Sequence, residues 1–336
     1  GEGNIFTDLS SVINGEIASI QYNFNNVSIS SDSIVAHIFD GYGLFNVELT
    51  ATTKEGCEGT ISKITEVFAN PVVDFTALGF CEGEQTSFND LSFIANTNIS
   101  NWNWTFGLEG FSSDKNTYHV FSTSGEHKIN LSVTSDMGCT SELSKKIEIY
   151  KLPIANFEIP TNVCLGDEVE ISDLSDDNGT NIVEWNYNFG DGNSSTEKNP
   201  THTYSFINQF DVSLEVISSK GCVNDTTMPA VITIYPIPIA DFQASTLIAS
   251  EIESEIRFYN KSIGATSYVW SFDNENYSFE ENPIYYFNNA QNYEVILTAI
   301  NDFACSSEIM RVVYIHPEYS FYIPNSFTPN DDGKND

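Results

Sequence analysis

Six cysteines offer the most definite chemistry in this chain, because their spacing repeats. Cys81 and Cys139 lie 58 residues apart, and so do Cys164 and Cys222. Equal separations predict one disulfide per repeat, Cys81 with Cys139 and Cys164 with Cys222. Each first cysteine opens a Cys-x-Gly-acid turn, Cys81-Glu82-Gly83-Glu84 and Cys164-Leu165-Gly166-Asp167. The chain's own start, Gly1-Glu2 followed by Ile5-Phe6-Thr7-Asp8-Leu9-Ser10, matches the same pattern from the glycine onward. The pattern predicts a cysteine two residues before Gly1 as the partner of Cys57, and a chain that is a piece of a longer polypeptide. Leu247 stands 58 residues before Cys305, so Cys305 is expected to stay unpaired. A bridge closing a loop of this size stabilises by about 4 kcal/mol in the chain-entropy model. Disulfides also imply an oxidising compartment outside the cytoplasm. Zinc is a poorer reading, since no Cys-x-x-Cys or His-x-x-x-His spacing accompanies the cysteines.

Histidines and carboxylates come next. His37, His119 and His202 each fall 15 residues after a recurring aromatic, and Tyr285 takes that place the fourth time. A catalytic histidine needs a positioned nucleophile or carboxylate and would not be replaced by tyrosine in one copy, so these positions are read as structural. Two residues later stand Phe39, Phe121, Tyr204 and Phe287, aromatics expected to close one end of a core with any polar tip bonded to backbone. With no Gly-x-Ser-x-Gly, His-Glu-x-x-His or phosphate-binding glycine loop, no catalytic residue and no enzyme activity are expected. No cofactor is expected, although Asp173, Asp176, Asp177 and Asp191, and Asp331 and Asp332 in the tail, could supply oxygens to calcium. Solvated turns are the plainer account of them.

The elements that must position these residues follow from a 36-residue block that occurs four times without insertion or deletion: Tyr22 to Cys57, Trp104 to Cys139, Tyr187 to Cys222 and Trp270 to Cys305. Such a period marks a tandem array, in which function belongs to the array more than to one reactive residue. Before each cysteine, apolar residues alternate with polar ones: Phe45, Val47, Leu49, Ala51; His127, Ile129, Leu131, Val133; Phe210, Val212, Leu214, Val216; Tyr293, Val295, Leu297, Ala299. Period-two alternation predicts a strand with one buried face. Further short alternating runs between Gly, Asn, Asp and Pro turns predict an all-β fold of tandem sandwiches. Pro71, Pro153 and Pro238 stiffen very short joints, which predicts an extended, semi-rigid rod. The expected division is 1–70, a partial repeat cut at its start; 71–152; 153–236; 237–317, lacking the first cysteine; and 318–336, a linker leading into another domain.

Acidic residues number 47 against 13 basic, a formal net charge of −34. That charge repels phosphate backbones and anionic lipid, so nucleic acid is excluded as a partner. No apolar run approaches the length of a membrane span.

Two segments carry family resemblances. Trp185-Asn186-Tyr187-Asn188-Phe189-Gly190-Asp191-Gly192, continuing through Asn199-Pro200-Thr201-His202-Thr203-Tyr204, resembles the signature of PKD domains. That resemblance implies an immunoglobulin-like β-sandwich, common in extracellular arrays. The other repeats depart from it at Phe24-Asn25-Asn26-Val27, Phe106-Gly107-Leu108-Glu109-Gly110 and Phe272-Asp273-Asn274-Glu275-Asn276. The tail from Tyr322, with Pro324, Asn325, Phe327, Thr328, Pro329, Asn330, Asp332 and Gly333, resembles the opening of the gliding-motility-associated C-terminal domain, the type B sorting domain of the type 9 secretion system of Bacteroidota. It implies export with the translocon and its shuttle protein as partners, then display at the cell surface in association with the outer membrane. Together the resemblances point to the C-terminal portion of a large surface adhesin of the SprB type in gliding bacteria, contacting glycans or a solid substratum. The alternatives are the stalk and export region of a polysaccharide-degrading enzyme or peptidase, and a biofilm matrix protein.

Overall fold

A computed structural model describes residues 3–24, 27–29, 33–273 and 276–319. Every regular element among them is a β-strand, and no helix is long and apolar enough to cross a membrane. The sorting-type motif from Pro324 to Gly333, with Asp331 and Asp332, lies outside the described residues.

The second repeat shows the plan. One sheet runs Thr117–Val120, Gln85–Asp90, Phe75–Leu78; the other runs Phe111–Ser112, Ile99–Phe106, Gly125–Ser135, Thr140–Ile149. The long hairpin of Gly125–Ser135 and Thr140–Ile149 follows directly from the alternation read in the sequence. Ile129, Leu131 and Val133 are fully buried, while Asn130, Ser132 and Thr134 between them face outward or sit at the margin. They pack with Phe75, Phe88, Trp104, Phe106, Phe121 and Ile149 into one apolar core. Burying side chains of this size contributes roughly 1.5–3 kcal/mol each.

The other repeats use the same parts. The fourth has the three-stranded sheet Phe242–Ala244, Glu255–Asn260, Ile284–Tyr286 and a five-stranded sheet built on the hairpin Asn292–Ile300 with Ser306–His316. The third has the hairpin Gln209–Ser218 with Val223–Tyr235, the first the one on which Ile182–Asn188 pairs. In the first, Ile17–Phe24, Gly43–Thr53 and Glu58–Val67 form the main sheet, and Asn4–Thr7 pairs with Ile34–His37.

The hydrogen bond that closes the turn after the first aromatic pair is present in the second, third and fourth repeats. The Phe106, Phe189 and Phe272 N–H groups donate to the carbonyls of Gly110, Asn193 and Asn276 at 3.0, 3.1 and 3.0 Å. In the third repeat the turn demands glycine twice over. Gly190 has φ +80°, and a Cβ there would lie 2.3 Å from the Asp211 carbonyl oxygen.

The contacts divide the chain into two compact units. One holds Gly1–Pro153 with Asp177–Val183 and Ile217–Val223; the other holds Ile154–Asp176, Glu184–Val216 and the chain from Asn224 onward. The division therefore cuts through the third repeat rather than between repeats. The covalent reason is given next.

Candidate functional site

The disulfides do not pair as the 58-residue spacing predicts. Cys81 is bonded to Cys222 and Cys164 to Cys305, each across a sequence separation of 141, with Cα atoms 5.6 Å apart. Cys139 and Cys57 are free thiols, and Cys305, expected to be unpaired, is bonded. Each bridge joins one repeat to the next, and each closes inside one compact unit.

The register of the long hairpin explains why. In the second repeat the hairpin pairs run from Gly125↔Ile149 at one end to Thr134↔Thr140 at the other. Cys139 lies in the turn beyond Thr134, whereas Cys81 forms a bridge with Tyr150, next to Ile149. Ten extended residues, about 33 Å, separate the two cysteines of one repeat. A disulfide tolerates a Cα separation of only about 4.4–6.8 Å. In the third repeat Cys222 likewise precedes the first residue of Val223–Tyr235, and Cys164 pairs with its last. Equal spacing marked equal places in the fold, at opposite ends of one hairpin.

Each cysteine sits in a built socket. The Tyr150 N–H donates to the Phe80 carbonyl at 2.7 Å, and the Glu82 N–H donates to Tyr150 at 2.8 Å, so Cys81 is held against the end of the last strand. Leu165 makes the same bond to Tyr235 beside Cys164. On the opposite side, the N–H groups of Cys57, Cys139, Cys222 and Cys305 donate to the residue four before them: Thr53 Oγ1 at 3.2 Å, Ser135 Oγ at 3.1 Å, Ser218 Oγ at 3.1 Å and Asn301 Oδ1 at 3.0 Å. A short polar side chain that caps this turn fixes the cysteine's direction.

The joints are also pinned without sulfur. The Asn178 amide donates to the Leu152 carbonyl at 2.7 Å, and the Asn301 amide donates to the Pro236 carbonyl at 2.8 Å. Lys220 lies 5.0 Å over the Tyr150 ring, and Phe303 stacks on Tyr235 at 3.8 Å. Pro153, Ile154 and Ile239 then lead into the next repeat, with Ile154↔Asp176 and Ile239↔Ile263 as its first pairings.

The recurring histidines serve the cores. His37, His119, His202 and Tyr285 stack flat on Phe24, Phe106, Phe189 and Phe272 at 4.1, 4.4, 4.2 and 4.2 Å. Each also meets the aromatic two residues on, edge to face, and the Tyr204 hydroxyl donates to the Phe189 carbonyl at 3.1 Å. Burial pushes the His119 pKa down against the opposing pull of Glu109, so the imidazole is held neutral. Burial pushes the Tyr285 hydroxyl up to about 12, aided by Asp273.

The candidate calcium ligands act as turn caps. Asp173 accepts from the Ser175 N–H and Asp177 from the Gly179 N–H. Asp176 is bridged to Ile154 through backbone. Asp191 accepts from Asn193 and lies 2.8 Å from His202 Nε2. Burial alone would raise the Asp191 pKa, but the bonds from Asn193 and His202 outweigh it and hold the carboxylate low. Among the described residues no three of His, Cys, Asp and Glu converge as a metal site.

The family model for the PKD domain matches residues 68–149 and 150–234. The chain carries PKD domains in tandem. It is 35% identical over 69 residues to collagenase ColA of Bacillus cereus, a match taking in 20% of this chain and 7% of the collagenase. It is 38% identical over 72 residues to collagenase ColQ1 of Bacillus cereus strain Q1, taking in 21% of this chain and 8% of that protein. The chain thus spans under a tenth of the length of these relatives. Among solved structures, the PKD1 domain of Vibrio anguillarum Epp is 22% identical with a TM-score of 0.23, over 25% of this chain and 96% of that domain. The PKD1 domain of the Vibrio cholerae metalloprotease PrtV is 24% identical with a TM-score of 0.22, over 24% of this chain and 96% of that domain.

Proposed function

We propose that the tandem PKD domains are a tension-bearing stalk of an extracellular surface protein, an adhesin of gliding bacteria exported by the type 9 route. The observation that carries this reading is the covalent doubling of the two joints that flank the third repeat. The third repeat is tied to the second by the peptide through Pro153 and by Cys222, and to the fourth by the peptide through Pro236 and by Cys164. Tension entering by either tie can leave along Pro153–Cys164 or along Cys222–Tyr235. The second route is already a 13-residue strand, Val223–Tyr235, with little slack to give. Residues 165–221, most of the sandwich, lie off both routes. Such a domain would hold its length under load even where its core opens. Thiols oxidised in this way also fit an extracellular setting, and the acidic surface favours solubility and separation of neighbouring chains. The tail's resemblance to a sorting domain supports the export route.

The decisive measurement is single-molecule pulling of the whole chain with and without reductant. The third repeat should release roughly 80 residues at about 3.5 Å each, near 25 nm after subtracting its folded span, only when reduced. Equal release in both conditions would remove the mechanical reading. The collagenase matches favour a second reading, a PKD stalk carried by a peptidase. A catalytic domain in the same polypeptide would decide for it.

A further inference from the structure

The second and third repeats place the same imidazole in opposite surroundings. His119 and His202 stack flat on buried Phe106 and Phe189, and each meets a further aromatic edge to face. In the third repeat His202 Nε2 lies 2.8 Å from Asp191 Oδ2, a carboxylate 1% exposed that two bonds from Asn193 fix in place. Asp191 stands two residues after Phe189. Two residues after Phe106 the second repeat has Leu108, which is fully exposed. His119 Nε2 is buried with no hydrogen-bond partner among the described residues.

The strand opposite repeats the deficit. His119 pairs with Thr86, whose hydroxyl is likewise buried and unpartnered among the described residues. The corresponding residues are Val169 opposite His202 and Ile256 opposite Tyr285, which bring no polar side-chain atom. Two ionisable groups act on His119, Glu109 from the turn and His127 from the long hairpin, while Phe106, Phe121 and Thr86 carry no charge. Glu109 is already committed: it accepts from the Ser122 N–H at 2.9 Å and hydroxyl at 3.0 Å, and lies 3.4 Å from His127 Nδ1. A buried polar group left unpaired costs stability, and a buried charge left unpaired costs more.

We propose that the second repeat is an acid-sensitive element of the array, released when His119 takes up a proton. The imidazolium finds no acceptor within bonding reach, so it turns out to water, uncovering Phe106 and Phe121 and loosening Thr117–Val120 from Gln85–Asp90. Burial holds the folded-state pKa of His119 below its unfolded value. The stability it contributes is therefore fully present above about pH 6.5 and is lost as pH falls below that. The Ser122 N–H holds Glu109 low, so any loss from that carboxylate begins only in stronger acid. Cys81 stays bonded to Cys222, which keeps the opened repeat joined to its neighbour. In the third repeat Asp191 is placed to accept from the protonated ring, and in the fourth a phenol, Tyr285, takes up no proton in this range.

The test is hydrogen exchange of the whole oxidised chain at about pH 7.5 and about pH 5, read by mass spectrometry and corrected for intrinsic exchange rates. One proton taken up between about pH 6.5 and 5 shifts an opening equilibrium by up to about 30-fold. Protection of Thr117–Val120 and of residues 129–133 should fall about tenfold in acid, with no such fall at Thr201–Thr203 or residues 212–216. His119→Tyr, which installs the fourth repeat's residue, should abolish the fall. Leu108→Asp, a change at an exposed turn position, should reduce it by giving the proton a partner. No fall in the second repeat, an equal fall in the third, or a fall that both variants leave unchanged would overturn the assignment. If His119→Tyr does not fold, Leu108→Asp decides alone.

Discussion

The two joints share one covalent plan and differ in how their parts are distributed. At the joint between the second and third repeats, Ser218 caps the cysteine turn and a separate residue, Asn178, holds the linker carbonyl. At the joint between the third and fourth, Asn301 does both, and also accepts from the Phe303 N–H at 3.0 Å. The covering side chain changes from a lysine over Tyr150 to a phenylalanine on Tyr235. The difference teaches that the fold requires a capped turn, a held linker and a covered aromatic, and leaves the choice of residue open. One buried amide can replace two side chains because Asn has both a donor and an acceptor end.

The bridges themselves test the shared plan with the largest effect. Cys222→Ser and Cys305→Ser should each cost about 3–5 kcal/mol, since a 141-residue loop is worth about 5 kcal/mol in the chain-entropy model. Denaturant unfolding of the oxidised variants reads this, and similar losses at both joints are expected. A loss at one joint alone would mean that the other bridge only decorates a contact already made.

A smaller effect separates the joints. Asn301→Ala should cost about 2 kcal/mol, because it removes two caps and leaves the Pro236 carbonyl without its donor. Ser218→Ala should cost about 1 kcal/mol, since Asn178 still holds Leu152. Equal shifts in the unfolding midpoint would dissolve the distinction drawn above.

The smallest effect lies at the residue before each cysteine. Gly221 has φ +80° with nothing near a would-be Cβ, so Gly221→Ala should cost about 1 kcal/mol through backbone strain alone. Ala304 holds the same left-handed conformation at φ +64°, so Ala304→Gly should gain about 0.5 kcal/mol, less because glycine is freer when unfolded. Thermal unfolding of the pair of variants would show opposite signs.

Much of the scaffold was legible beforehand. The alternation before Cys139 and Cys222 places Ile129, Leu131, Val212 and Leu214 in the core, because a strand with one wet face has no other way to bury them. Tyr285 standing in for histidine marked a structural position, and only the structure gave the role as stacking, which a flat ring of either kind can fill. The joints were less legible. Their caps lie four residues before each cysteine as Thr, Ser, Ser and Asn, a pattern of shared chemistry without shared identity.

From its residues alone the chain dictated strands, repeats and an oxidisable set of thiols, since these depend on local period and on side-chain chemistry. Which thiols meet was a matter for three dimensions. A strand is rigid over its length, so two cysteines near in sequence are carried to opposite ends of a hairpin, and Cys81, Cys164, Cys222 and Cys305 find their partners in a neighbouring repeat.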